Sequence, residues 1–155
     1  MSESSQEQEP PPSEFPPVAE LVPHDAPMIL VDELVEWSPT RARVRARVRR
    51  GGPFVTQGRL PATILLEYMA QAIAVADGMG ARITGRTDIG LLLGIRELDL
   101  AVAEVEVGDE LDIHVEQRFA DTKLASYDCE VRREGRRLAG GTVNVMIAPP
   151  EEFSR

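Results

Sequence analysis

Pro61-Ala62-Thr63-Ile64-Leu65-Leu66-Glu67-Tyr68-Met69-Ala70-Gln71-Ala72 sets a single carboxylate in a segment that is otherwise apolar on nearly every side. Pro61 suits the first turn of a helix, where its missing N–H has no partner to lose. Ile64, Leu65, Met69, Ala72, Ile73 and Ala76 then form a wide apolar stripe, and Leu66, Tyr68, Ala70 and Val75 leave little polar face. A helix apolar on most sides is a buried one, and the pattern predicts that it runs from Pro61 to about Gly78. A carboxylate in such a helix is costly unless it is paired, neutralised or used. Glu67 is therefore the first candidate for chemistry. Gln71, four residues on, shares its face and is placed to orient it.

Working outward, Val18 to Val22 has room for one helical turn before Pro23. Pro27 introduces an apolar run, Met28 to Val31, that predicts a strand through Trp37, closed by a turn at Ser38-Pro39. Thr40 to Arg49 alternates strictly, with Arg41, Arg43, Arg45, Arg47 and Arg49 on one side and Ala42, Val44, Ala46 and Val48 on the other. That is a half-buried strand. Its arginine row is read either as a solvated face or charged edge that resists unwanted pairing, or as a docking face for an acidic partner, to which planar guanidinium groups are suited. Gly51-Gly52-Pro53 breaks the strand and a loop leads to Pro61. After the helix, Gly78, Gly80 and Gly85 punctuate the way to strands at Ile89 to Leu98, Glu110 to Phe119, Leu124 to Arg132 and Arg137 to Ala148, the last three forming an antiparallel meander. Strand, strand, one buried helix and four strands make an α+β domain, an antiparallel sheet wrapped around one long helix.

Composition narrows the function classes. The 155 residues and their hydrophobic fraction of 43% suit one domain with a real core. Residues 1–17, rich in Glu, Ser, Gln and Pro, read as a disordered acidic tail; residues 18–149 are the folded domain and 150–155 a short tail. The formal charge of -9 is concentrated at the ends, leaving 19 acids against 16 bases between residues 21 and 150. That balance gives nucleic-acid binding no support. No run approaches the roughly 18 to 20 apolar residues of a membrane span, and the acidic N-terminus is unlike a secretory signal. A cytoplasmic protein without a membrane span is expected. Cys129 is the single cysteine, and His24 and His114 are far apart, so neither an internal disulfide nor a structural metal is expected.

Three blocks, in order, resemble the hot-dog-fold 3-hydroxyacyl-(acyl carrier protein) dehydratase family. Leu21-Val-Pro-His24-Asp-Ala-Pro27 with the following apolar run and Asp32 resembles its opening. Pro61 through Gln71 resembles its helix motif, with Glu67 on the motif's acid and Gln71 on its closing Gln. Gly94-Ile-Arg through Val107-Gly108-Asp109 resembles the strand and Gly-Asp turn that follow. The match is similar in detail to the dehydratase-like component of aryl-polyene pathways, in Gln57-Gly58-Arg59-Leu60-Pro61 and Glu67-Tyr68-Met69-Ala70-Gln71. The resemblance implies a hot-dog dimer, either a homodimer or a heterodimer with a second hot-dog dehydratase. It implies loss of water from a 3-hydroxyacyl thioester carried on the phosphopantetheine of acyl carrier protein, with no other cofactor.

Such a reaction needs a base for the C2 proton, an acid for the C3 hydroxyl, and donors for the thioester carbonyl. The family draws them from a loop His, a helix carboxylate of the other subunit and backbone N–H groups near the helix start. Here the acid is present as Glu67 and the loop base is absent. Counting back from Glu67 without gaps puts Pro53 at the His position, and a shortened loop puts Arg59 there. Arg59 cannot give up its proton but suits an oxyanion. Gln57, Gly58, Arg59, Ala62 and Gln71 are the implied binding or orienting residues, Ala62 replacing the motif's Gly while leaving its N–H available. The arginine row is the implied carrier-protein contact. His24 matches a family His outside the catalytic pair and is read as capping or packing, with a site role as the lesser alternative; His114 is read as a surface residue. Glu67 itself is left as either a proton-transfer group or a carboxylate paired with Arg59 or solvated at the dimer seam. Besides a hydro-lyase, the chain is compatible with a non-catalytic carrier-protein binding subunit or a hot-dog thioesterase.

Overall fold

The computed structural model describes residues 15–87 and 89–148. The disordered reading of residues 1–17 falls outside that range up to residue 14, and the short C-terminal tail lies wholly outside it. Phe15 packs against the edge of the core. After a 3-10 turn at Val18–Glu20 come β1 (Glu33–Ser38), β2 (Arg41–Arg47), the short β3 (Arg59–Pro61), a second 3-10 turn at Ala62–Ile64, and α1 (Leu65–Thr84). β4 (Ile89–Leu100), the short β5 (Glu104–Glu106), β6 (Glu110–Ala120), β7 (Leu124–Arg133) and β8 (Arg136–Ala148) follow. Six strands form one antiparallel sheet in the order β1-β2-β6-β7-β8-β4, and β3 pairs with β5 in a separate ribbon.

The sheet curves around α1 because its inner positions and the helix are apolar together. Ala42, Val44 and Ala46 of β2, Leu111, Ile113 and Val115 of β6, and Val131 of β7 are all buried, as are Leu65, Met69, Ala72 and Val75 of α1. The period-2 pattern in β2 predicted its two faces as found. β2 is nevertheless an interior strand, between β1 and β6, so its arginines guard no edge. Three of them make cross-strand pairs instead: Arg41 with Glu116 at 3.4 Å, Arg43 with Glu36 and Asp112 at 3.2 Å each, and Arg45 with Glu33 at 3.7 Å, while Arg49, just past the strand, pairs with Asp32. Opposite charges directly across a ladder stabilise its register.

The start of the first strand and both ends of the helix differ from the predicted boundaries; α1 begins at Leu65, after the 3-10 turn Ala62–Ile64, rather than at Pro61. The strand expected from Met28 begins at Glu33 because Leu30 N–H and Met28 C=O are bonded to the Gln71 side chain rather than to a neighbouring strand. The helix passes through Gly78 and Gly80 and ends at Gly85, whose φ of 74° makes a left-handed C-cap. Gly78 serves packing rather than termination: a Cβ there would overlap the Leu21 carbonyl oxygen. We expect Gly78→Ala to destabilise the protein by about 1 to 3 kcal/mol through that overlap, outweighing the gain of about 1 kcal/mol in helix propensity. Urea unfolding measures the difference, and a more stable variant would contradict the close approach. The three-residue strands β3 and β5 were not predicted, being too short to show a period.

Candidate functional site

The site is built where the segment from Leu21 to Asp32 crosses α1. One anchor is Leu21, seated against Gly78. The other is Gln71, which is 0% exposed. Its Oε1 accepts from Leu30 N–H at 2.7 Å, while its Nε2 donates to Met28 C=O at 2.7 Å and to Glu67 Oε1 at 3.1 Å. Every strong group of this buried amide is satisfied, as burial requires. Between the anchors the chain carries His24, whose Nε2 lies 3.6 Å from Glu67 Oε1. At that separation the two groups face each other without a made hydrogen bond. Both side chains keep about a third of their surface, 32% for His24 and 34% for Glu67.

They open onto a cavity of about 570 Å³. Along α1 it follows Glu67, Ala70, Ala74, Asp77 and Ala81, positions that share one helix face and span about 21 Å at 1.5 Å per residue. Leu91 and Leu92 of β4 and Val145 and Ile147 of β8 supply an apolar wall. The end remote from Glu67 holds the ion pairs Asp77–Arg86 at 3.2 Å and Glu20–Arg82 at 3.1 Å. Tyr127 also lines the cavity, and burial, with Asp77 adding, pushes its hydroxyl up to about 12. It is neutral near pH 7. The arrangement is a carboxylate at the mouth of a slot with one apolar wall and ion pairs at its far end.

Residues 16–155 match the family of ApeP-like proteins, described as ApeP dehydratase. The chain belongs to the ApeP-like dehydratase family. It is 32% identical over 142 residues to the 3-hydroxyacyl-[acyl-carrier-protein] dehydratase FabZ of Anaeromyxobacter sp. (strain K), covering 86% of this chain and 90% of that protein. Among solved structures, a chain of the dehydratase heterocomplex ApeI:P from Xenorhabdus doucetiae is similar with a TM-score of 0.84 and 32% identity, over 90% of this chain and 95% of that one. A mutant structure of the phenylacetic acid degradation protein PaaI from Thermus thermophilus shares the fold alone, with a TM-score of 0.57 and 20% identity over 74% of this chain and 90% of that one. The α+β architecture is thus the hot-dog fold.

In this member of the ApeP-like dehydratase family the structure brings together Glu67 and Gln71 and leaves the other expected site residues elsewhere. Gln57 and Gly58, with φ of 53° and 75°, form the tight turn between Thr56 and Arg59, whose backbones exchange hydrogen bonds at 2.9 and 3.1 Å. Arg59 pairs with Glu104 at 2.9 Å across the β3–β5 ribbon, so within one chain the Arg59–Glu67 pair, one of the alternatives for the carboxylate, is not formed. The Ala62 N–H, expected to be available, donates to Ala103 C=O at 3.0 Å. Neither position for the loop histidine faces Glu67: Pro53 lines a second cavity of about 510 Å³ with Tyr68, Arg47 and Arg49, and Arg59 lies in the ribbon.

The arginine row engages Asp32, Glu33, Glu36, Asp112 and Glu116, so that face is a mixed network rather than a positive patch. Burial pushes the Cys129 thiol up to about 12, which leaves no thiolate nucleophile near pH 7.

His24, for which a site role is the lesser reading beside capping or packing, stands against the carboxylate; the contact spans 43 residues and no periodicity exposes it. Among the described residues, no helix is long and apolar enough to cross a membrane.

Proposed function

We propose that this chain removes water from 3-hydroxyacyl thioesters presented on the phosphopantetheine of an acyl carrier protein, in fatty-acid or aryl-polyene biosynthesis, with Glu67 moving the proton. The observation that carries this reading is the Glu67 carboxylate, held by buried Gln71 and opening onto a slot with an apolar wall in a dehydratase-family chain. A carboxylate held in that setting is a general acid or base placed beside an acyl chain. No metal or bound cofactor enters the reading, and the compartment is the cytoplasm, where the carrier-bound substrate is to be met.

The experiment offers purified protein 3-hydroxyacyl chains on acyl carrier protein and follows the tethered acyl group by mass spectrometry. Loss of water from the tethered chain supports a hydro-lyase. Release of free acid would make the protein a thioesterase, and carrier binding without conversion would make it a non-catalytic subunit.

A dimer, either of two copies or with a second hot-dog dehydratase, is supported by the exposed edge of the sheet. β4 pairs on one side only, with β8, and presents Leu91, Leu92 and Leu93 at 38%, 44% and 55% exposure. An open apolar edge invites pairing with another chain, and the relative in the ApeI:P heterocomplex is solved in such company. Leu93 lies on this edge outside the acyl cavity. We expect Leu93→Lys to lower the mass of the assembled species toward that of a single chain, measured by light scattering during gel filtration. An unchanged mass would place the seam elsewhere.

A further inference from the structure

We propose that Tyr127, Asp77 and Arg86, at the end of the slot remote from Glu67, form a recognition point for a hydroxyl group on the far end of the acyl chain, and so determine which chains this protein accepts. The inference rests on the dehydratase reading for its substrate and adds the chemistry of the chain's end.

Among the described residues, these three alone line both the cavity of about 570 Å³ and a smaller neighbour of about 230 Å³, which also takes in Trp37 and Ile83. They are the partition at which the slot stops. Asp77 lies ten residues along α1 from Glu67, about 15 Å away at 1.5 Å per residue.

Each member of the partition is held from a different direction. Asp77 projects from α1 and pairs with Arg86 at 3.2 Å. Arg86, just past the helix, lies across Gly80, where a Cβ would come within 3.4 Å of its Nη2, and its Nε donates to Thr84 Oγ1 at 3.3 Å. Tyr127 points in from the core-facing side of β7 and is 8% exposed. Its hydroxyl makes no hydrogen bond among the described residues, yet its oxygen is not sealed off. The polar groups of buried residues are ordinarily bonded. This one is left open to what enters the slot.

Charge selects the group that fits. Asp77 and Arg86 neutralise each other, and burial keeps the Tyr127 hydroxyl protonated near pH 7. A carboxylate or ammonium on the chain's end would bring an unbalanced charge into this corner. A methyl end would strip water from the polar groups and offer them nothing in return. A hydroxyl is uncharged and can both accept from the phenol or guanidinium and donate to the carboxylate. With Leu91, Leu92, Val145 and Ile147 as the wall between, the slot suits a chain that is apolar in its middle and hydroxylated at its end. An aliphatic alcohol and a phenol share this chemistry.

The test compares matched 3-hydroxyacyl carrier proteins, from octanoyl to dodecanoyl, whose chains end in a methyl or in a hydroxyl, together with a phenyl-ended and hydroxyphenyl-ended pair. We expect the parent to favour the hydroxyl-ended member of at least one kind of pair by about 10-fold or more in kcat/KM, because the other member leaves buried polar groups unpaired. The kind of pair that shows the preference tells alcohol from phenol. Tyr127→Phe removes an oxygen that makes no hydrogen bond to the described residues, so its thermal midpoint should match the parent's. The preference should shrink by about 3- to 10-fold, the usual worth of one neutral hydrogen bond. A purely structural tyrosine would change both members of a pair alike and leave their ratio untouched. Equal kcat/KM within every pair, or a preference that survives Tyr127→Phe in full, overturns the proposal. If the parent converts none of these substrates, the dehydratase reading fails, and calorimetric binding of the same pairs decides the recognition point. Tighter binding of a hydroxyl-ended member that is lost in Tyr127→Phe supports it, and equal binding or none overturns it.

Discussion

Glu67→Gln is expected to lower kcat/KM on a 3-hydroxyacyl carrier substrate by about 10² to 10⁴, the usual worth of a positioned general acid or base. The amide matches the carboxyl in shape, and its oxygen can still accept from Gln71 Nε2, which donates to Glu67 at 3.1 Å in the parent. The substitution therefore removes the exchangeable proton and the charge while keeping the packing. Since the side chain is one-third exposed, the thermal midpoint should stay within about 2 to 4 °C, corresponding to roughly 1 kcal/mol for a chain of this size. The loss should appear in kcat with KM nearly unchanged, because the interaction removed is made with the reacting atoms in the transition state. A change in KM alone, or a midpoint that collapses together with activity, would assign Glu67 to binding or to structure.

Gln71→Leu is expected to be the most destabilising change near the site. The new side chain is apolar and close in volume, so little of the effect comes from a void. It leaves Leu30 N–H and Met28 C=O, each bonded at 2.7 Å in the parent, without partners in a buried place. An unsatisfied buried group costs about 1 to 3 kcal/mol, so a loss of roughly 2 to 4 kcal/mol is expected, offset in part by the apolar gain. The thermal midpoint should drop by about 5 to 15 °C. Activity at a temperature where the variant is folded should also fall, because Glu67 loses its fixed donor and the segment bearing His24 loses one of its two anchors. A variant as stable as the parent would show that the Leu21–Asp32 segment is held by other contacts.

The legibility of this chain follows the range of its interactions. Alternation in Arg41–Arg47 and the apolar stripe within Leu65–Thr84 are local periodicities, and each element formed in kind, though not to the predicted ends, because one side faces the core. Gly78 misled the helix boundary because its reason, the nearby Leu21 carbonyl, lies 57 residues away in the chain. The Met28 strand start failed for a related cause: a side-chain amide took the backbone groups that a ladder would have used. In the site, Glu67 and Gln71 were readable since four residues of helix place them side by side.

Gln57, Gly58, Arg59 and Ala62 were read as binding residues because a motif puts them near a loop. Their geometry spends them on a turn, an ion pair with Glu104 and a hydrogen bond to Ala103. His24 could be placed only by folding, which brings a proline-bounded loop onto the helix.

Hydration of a crotonyl chain on acyl carrier protein, the reverse of the elimination, carried out in heavy-oxygen water and followed by mass spectrometry, tests the central claim most directly. We expect the parent to place heavy oxygen on C3 of an acyl group still tethered to its carrier, and Glu67→Gln to do so more slowly by about 10² or more. Label found only in released acid, or equal labelling by the two proteins, would contradict Glu67 as the proton-transfer group of a dehydratase.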